Sequence, residues 1–150
     1  MAKRILVPLD AAVHAESMVR TIGMLGREAG ATVRLLHVAP IPDTVVDDDG
    51  RVLAYSDQEG ERLEAEALDF LHAASIGLEG VAVECCVRFG DPVAQILEDA
   101  EDWNADLIAM ATRGRGYIER ALLGSVAEQV FRRAPTAVTL YRQERARLAP

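Results

Sequence analysis

Five short runs of apolar residues recur along the chain, and many of their members are branched. The runs occupy residues 3–9, 32–38, 81–88, 106–111 and 136–141. In the first run the apolar residues are consecutive rather than alternating, which predicts a strand covered on both faces, as in a parallel sheet. Pro8 is compatible with that strand because it lies near the strand's end, where a missing backbone donor matters least.

Between these runs, apolar residues recur every three or four positions, which predicts helices with one buried face. The predicted helices cover residues 15–28, 57–75, 92–103 and 125–133. Gly30 is suited to end the first helix, and Asp91-Pro92 supplies an N-cap and a proline at the first helical position of the third. Ser125 and Glu128 have the spacing of a capping box, which predicts Ser125 as the N-cap of the last helix.

Strands that alternate with helices predict a doubly wound α/β domain with right-handed crossovers. The length of 150 residues fits one domain, residues 1–150. Between residues 39 and 56 the periodicity is lost and Pro, Asp and Gly accumulate, so we expect a mobile connection there. We expect residues 142–150 to form a solvated tail.

The net charge, the lengths of the apolar runs, the N-terminal residues and the cysteines argue against several classes of protein. The chain has 16 basic and 24 acidic residues, a net charge of −8, which argues against a nucleic-acid surface. No apolar run approaches the roughly 20 residues that span a bilayer. Lys3-Arg4 leads straight into a strand, unlike a signal peptide, so we expect a cytoplasmic protein. Cys85 and Cys86 are adjacent and have no metal-ligand spacing, which indicates packing roles in a reducing compartment.

One segment departs from the acidic balance of the chain. The fourth strand is followed by Thr112-Arg113-Gly114-Arg115-Gly116, and residues 112–123 contain three arginines and one glutamate. A strand, a glycine-rich loop and a helix that begins near Gly124-Ser125 together offer backbone N–H groups to an anion, and phosphate is the obvious candidate. A second interpretation stays open, in which the arginines are solvated or paired with a partner chain and the glycines only permit a turn.

Several motifs are shared with a known family. Gly114 and Gly124-Ser125 are separated by nine residues, as in the pattern Gly-x-x-Gly, nine residues, Gly-Ser of nucleotide-binding universal stress proteins. The first strand with Asp10, the segment Leu36-His37-Val38 and Gly90-Asp91-Pro92 also stand where that family has similar residues. On these residues the chain resembles the universal stress protein family over nearly its whole length.

The resemblance implies a five-stranded parallel sheet with strand order 3-2-1-4-5. In that order the first and fourth strands are neighbours at the topological switch point. Their carboxyl ends carry Asp10 and the loop at residues 111–116, and ligands bind at this place in such sheets.

The resemblance also implies a site for ATP or a related adenine nucleotide, in a stress-response regulator. The implied nucleotide-binding residues are Pro8, Asp10, Val38, Met110, Ala111, Arg113, Gly114, Gly124, Ser125 and Val126. For Asp10 three roles stay open: contact with a ribose hydroxyl, assistance to a magnesium ion on the phosphates, or capping of its own loop. The family further implies a homodimer formed through the last strand, Thr136 to Tyr141, which we expect at a sheet edge.

Three departures from the family pattern favour a rival function. Ala111 stands where the first glycine is expected, Ala11-Ala12 replaces Gly-Ser, and Ala127 replaces a hydroxyl residue of some binding members. The rival is a dimeric stress adaptor that binds no nucleotide. An adenylyl-transferring ligase is a third alternative, but it would need a serine- and glycine-rich phosphate loop after the first strand.

No other motif predicts chemistry. The sequence contains no P-loop, no nucleophile elbow and no zinc-hydrolase motif, so we expect no enzyme activity beyond slow ATP hydrolysis. Asp47-Asp48-Asp49-Gly50 fails as a calcium loop because Val45 and Ser56 occupy ligand positions. We expect His37 to be a core or pocket-edge histidine, and for His14 a ligand contact stays open.

Overall fold

The computed structural model describes residues 3–10, 15–112 and 124–142. Five strands form the main sheet: β1 (Arg4–Pro8), β2 (Thr32–Ala39), β5 (Ala82–Phe89), β6 (Leu107–Thr112) and β7 (Ala137–Arg142). Two short strands, β3 (Val45–Val46) and β4 (Val52–Ala54), form a separate hairpin. The helices are α1 (Glu16–Ala29), α2 (Ser56–Ala74), α3 (Pro92–Asp102) and α4 (Ser125–Arg133), with a 3₁₀ turn at Ser75–Leu78.

The main sheet has the order β5-β2-β1-β6-β7, and all its pairings are parallel. If its strands are counted alone, this is the order 3-2-1-4-5, so the predicted fold is confirmed. The central strand β1 is buried on both faces at Ile5, Leu6 and Val7, as its unbroken apolar run predicts.

The sheet has one buried layer on each face. On one face, α1, α2 and the 3₁₀ turn cover a cluster that includes Ile22, Val33 and Leu71. On the other face, α3 and α4 cover a cluster that includes Ile96 and Val130. Both clusters are built almost entirely from aliphatic residues, in keeping with an aromatic content of only 5%.

The helix ends test three predictions. Gly30 ends α1 in the left-handed conformation, with φ 64°, and the Asp91 carboxylate accepts a hydrogen bond from the Ala94 backbone N–H at 2.9 Å, so both of these predictions are confirmed. The prediction for Ser125 is wrong. Gly124 is the N-cap of α4, and Ser125 is the first helical residue with no capping bond from its side chain.

The chain reaches α4 in an extended conformation at Gly124, with φ −58° and ψ 153°. The Gly124 carbonyl accepts the first helical hydrogen bond, from the Glu128 N–H at 3.0 Å. The N-cap therefore lies one residue earlier than the capping-box spacing indicates, whereas the helix itself has the predicted bounds. Glycine is an acceptable N-cap, so the spacing of Ser125 and Glu128 does not by itself select the start of the helix.

The segment between β2 and α2 contains structure that the sequence analysis did not predict. β3 and β4 pair antiparallel, and the Asp47 carboxylate closes their turn by accepting from the backbone N–H groups of Asp49 at 3.0 Å and Arg51 at 2.8 Å. Strands of two and three residues are too short to show a period-two pattern. The expected mobility of the segment stays a prediction.

Candidate functional site

A cavity of about 400 Å³ opens at the carboxyl edge of the main sheet. The ends of β1, β2 and β6 form its floor, and the first turns of α3 and α4 form its walls. The described residues that line it are Pro8, Leu9, Asp10, Ala15, Leu36, His37, Val38, Pro40, Pro92, Ile96, Met110, Ala111, Gly124, Ser125, Val126 and Ala127. The cavity lies at the topological switch point between β1 and β6. On one side of this point the strand order runs outward through β2 and β5, and on the other side through β6 and β7.

Eight of the ten residues predicted for a nucleotide line this one cavity. They are Pro8, Asp10, Val38, Met110, Ala111, Gly124, Ser125 and Val126. The other two, Arg113 and Gly114, lie outside the described residues, as do Ala11-Ala12 and His14. The eight residues come from four separate stretches of the chain, and the fold brings them together. That they bind a nucleotide stays a prediction.

The end of β1 is held in place by β2. The Leu9 backbone N–H donates to the Leu36 carbonyl at 2.8 Å, and His37 Nδ1 lies 2.9 Å from the Leu9 carbonyl oxygen. Because a carbonyl oxygen only accepts, Nδ1 carries the proton and donates to it. The His37 ring also packs edge-on against Phe70, with 5.8 Å between ring centroids. These contacts fix the backbone immediately before the exposed Asp10, and His37 lies at the pocket edge as predicted.

The start of α4 presents backbone donors to the cavity that have no partner among the described residues. The N–H groups of the first helical turn have no acceptor within the helix, since the first intrahelical bond is made by Glu128. Gly124 is half-buried and has no side chain, and the Ser125 hydroxyl is exposed. Partial positive charge at a helix N-terminus attracts anions. The buried Ala127 contributes no hydroxyl group here.

The remaining wall of the cavity is apolar. Met110 and Ile96 are buried, Val38 and Ala111 are half-buried, and Asp10 and His37 supply the only ionisable side chains among the described lining residues. An apolar wall opposite a few convergent polar groups suits a small ligand with a flat ring and an anionic end.

The wall formed by α3 was not predicted from the sequence. Pro92 and Ile96 line the cavity, and so does Pro40, but none of them was predicted as a site residue. A general rule of parallel sheets would have identified this wall. In parallel β-α-β units each helix begins at the carboxyl edge of the sheet, so the first turn of every crossover helix is a candidate wall.

The described part of the chain contains neither a metal-binding cluster nor a membrane-spanning helix. Within residues 3–10, 15–112 and 124–142, no group of three or more His, Cys, Asp or Glu is placed to hold a metal ion. Among the helices in the same ranges, none is long and apolar enough to cross a membrane.

Solved structures share this fold. The structure of the hypothetical protein MJ0577 aligns with a TM-score of 0.77 at 26% identity, and the alignment covers 97% of this chain and 99% of that one. A universal stress protein solved in complex with cAMP aligns with a TM-score of 0.65 at 20% identity, over 95% and 98% of the two chains. One from Archaeoglobus fulgidus, solved in complex with dAMP, aligns with a TM-score of 0.59 at 20% identity, over 92% and 96%.

Sequence comparisons give the family. A universal stress protein of Thermus aquaticus is 31% identical over 144 residues, which cover 95% of this chain and 100% of that protein. One from Methanothermobacter thermautotrophicus is 33% identical over 148 residues, covering 95% and 97%. The model of the universal stress protein family matches residues 1–142. The chain therefore belongs to the universal stress protein family.

Proposed function

We propose that this protein binds ATP or a related adenine nucleotide in the cavity at the carboxyl edge of the sheet, and that it acts as a stress-response regulator. The observation that carries the proposal is that eight residues chosen from sequence motifs in four stretches line one cavity. Relatives of the same fold solved with cAMP and with dAMP support an adenine nucleotide as the class of ligand.

The geometry of the cavity supports one orientation of the nucleotide. In this orientation the base packs against the apolar side chains of Val38 and Met110, and the phosphates take the N–H groups of the first turn of α4. Asp10, an exposed residue of the lining, then contacts a ribose hydroxyl or a magnesium ion on the phosphates. This orientation uses the apolar and the anion-binding parts of the site together.

The proposed role is binding rather than catalysis. Asp10 and His37 are the only ionisable side chains among the described residues of the cavity, and the His37 Nδ1 proton is already donated to the Leu9 carbonyl. Hydrolysis of bound ATP therefore proceeds slowly, and the nucleotide acts by shifting the population of conformations that partners recognise.

The proposed assembly is a homodimer formed through the last strand. β7 is an edge of the main sheet, so one side of its backbone has no strand partner among the described residues. Sedimentation equilibrium should give the mass of a dimer, and a monomer at micromolar concentration contradicts this assembly.

Calorimetric titration with magnesium ATP, ADP and cAMP tests the proposal, after bound nucleotide has been removed. The wild-type protein should bind saturably, and Gly124→Asp should lose at least about 100-fold in affinity. The added carboxylate occupies the N–H groups of α4 and repels the phosphates by about 4 kcal/mol at 4 Å. The backbone at Gly124 suits aspartate, which is a favourable N-cap, so this variant should stay folded.

Gly30→Asp is the matched control. It adds the same charge at the opposite edge of the sheet, where a new Cβ has nothing within 4 Å. Its positive φ lowers stability by about 1–2 kcal/mol, but the affinity for nucleotide should not change. Undiminished binding by a folded Gly124→Asp protein contradicts the site.

One observation favours the rival adaptor without nucleotide. Ala111 lines the cavity and adds a methyl group where binding members of the family have glycine. If this methyl group is an obstacle, Ala111→Gly should bind ATP more tightly than the wild type. No saturable binding by either protein favours the adaptor.

A further inference from the structure

Exposed apolar side chains concentrate in one part of the molecule, residues 41–55, which we call the hairpin segment. It contains six large apolar side chains that are at least 38% exposed: Ile41, Val45, Val46, Val52, Leu53 and Tyr55. The other exposed large apolar side chains of the described residues are spread over α1, the 3₁₀ turn and α4. A cluster of this kind on a small domain marks an interaction surface.

The hairpin segment exposes apolar side chains on both of its faces. Val46 pairs with Val52 and Val45 pairs with Ala54, and a bulge separates the two pairs. Val45 and Val46 are neighbours on β3, so they point to opposite faces, and both are exposed. A hairpin lying flat on the domain would bury one face. Here each face of β3 exposes an apolar side chain, and an isolated two-stranded hairpin is only marginally stable in water.

The hairpin segment is nevertheless packed against the domain at its base and hydrogen-bonded within its tip. A Cβ added at Gly60 on α2 would stand 3.3 Å from the Pro42 ring, so the segment packs closely against that helix at its base. At the tip, the Asp47 carboxylate holds the backbone N–H groups of Asp49 and Arg51. The apolar strands are therefore presented between an anchored base and an internally bonded turn.

The net charge of the hairpin segment indicates the class of partner that it attracts. The hairpin segment carries four acidic residues, Asp43, Asp47, Asp48 and Asp49, and one basic residue, Arg51, a net of −3. This acidic rim repels nucleic acid, an anionic membrane and the same segment of a second copy. It attracts a surface that combines apolar side chains with lysine or arginine.

From the two exposed faces and the acidic rim we infer that the hairpin segment is a docking surface for a cationic, apolar segment of another protein. The surface begins one residue after Pro40, which lines the cavity at the sheet edge. Docking does not require a nucleotide, so it can fail or succeed independently of the proposed function.

The test uses the full chain and a fluorescently labelled amphipathic peptide of Leu and Lys as the probe, with fluorescence anisotropy as the readout. The wild-type protein should bind this peptide, and should bind a peptide with Glu in place of every Lys at least about tenfold more weakly. The double variant Val46→Ser, Leu53→Ser should lose about tenfold or more in affinity, since it removes the central apolar contacts.

Two further variants keep the test decisive. Met24→Ser with Ile76→Ser removes exposed apolar side chains elsewhere and should leave binding unchanged. Asp48→Lys with Asp49→Lys keeps the apolar strands, reverses the charge of the tip and should weaken binding of the Lys peptide. Equal binding by the Val46→Ser, Leu53→Ser variant overturns the inference, and so does no preference for the Lys peptide. Self-association of the wild type that this variant abolishes identifies a second copy as the occupant instead.

Discussion

The two buried layers of this domain differ in whether a charged side chain is buried in them. Under α1 and α2, the buried cluster contains only apolar side chains, among them Ile22, Val33 and Leu71. Under α3 and α4, Asp99 is only 3% exposed and lies beside the apolar cluster. The first layer needs only residues of suitable volume, whereas the second needs a particular partner for a buried carboxylate.

That partner is Arg34, on β2. Its guanidinium lies 3.0 Å from Asp99 Oδ1 and 3.0 Å from Glu84 Oε2, and it stacks over the Trp103 ring with 4.8 Å to the ring centroid. Arg88 approaches the same Asp99 oxygen at 3.6 Å. Asp99 Oδ2 is buried and has no hydrogen-bond partner among the described residues. We therefore expect the face under α1 and α2 to tolerate substitution more readily than the face under α3 and α4.

Removal of the arginine gives the largest expected effect. Arg34→Met leaves the Asp99 carboxylate buried with only the longer contacts to Arg88 and to the Cys86 thiol, so we expect a loss of about 3–5 kcal/mol in the free energy of unfolding, measured with urea. Arg62→Ala, which breaks the exposed ion pairs with Glu59 and Glu66, is the control and should cost much less stability, because solvent screens exposed pairs.

The double variant Arg34→Met, Asp99→Leu sharpens the comparison because it replaces both members of the buried ion pair with apolar side chains. It should recover most of the stability lost in Arg34→Met, since neither charge then remains buried without its partner. If the double variant is as unstable as the single one, packing around the arginine stem and Trp103, rather than charge, holds this layer.

Removal of the polar side chain at the start of α3 and at the start of α4 should have different effects on the free energy of unfolding. Asp91→Ala removes the carboxylate that caps α3 and should cost about 1 kcal/mol. Ser125→Ala should change the unfolding free energy by less than about 0.5 kcal/mol, because Ser125 makes no capping bond. Urea midpoints of the two variants measure this difference. A cost at Ser125 as large as that at Asp91 would restore the capping-box prediction.

The alkylation rates of the two adjacent cysteines test the two layers separately. This is the smallest effect that we expect. Burial raises the pKa of the Cys85 thiol, and burial together with the Asp99 charge raises the pKa of the Cys86 thiol. A raised pKa leaves less thiolate at pH 8, so both should be alkylated more slowly than an unstructured cysteine. The single-thiol variants Cys86→Ser and Cys85→Ser measure each rate.

Arg34→Met extends this measurement. The arginine charge lowers the pKa of Cys86, so its removal should raise that pKa and slow alkylation of Cys86. Alkylation of Cys85 should not change, because burial alone raises its pKa. If both rates change together, the mutation has loosened the sheet as a whole and the two layers are not independent.

Local patterns predicted the strands, the helices and two of the helix ends because each depends on residues close in the sequence. The N-cap of α4 was predicted wrongly because Gly124 and Ser125 are both acceptable N-caps, and the spacing from Ser125 to Glu128 does not select between them. The β3–β4 hairpin was missed because its strands are too short to show a period.

The sequence by itself determined the doubly wound fold, the family and the stretches from which the cavity is built. These follow from apolar periodicity and from motifs that each occupy a few consecutive residues. Only the tertiary structure decided that α3 supplies a wall of the cavity, that Arg34 meets Asp99 across 65 positions of the chain, and that the hairpin segment stays uncovered. Such contacts join residues far apart in the chain, so they depend on how the crossovers pack.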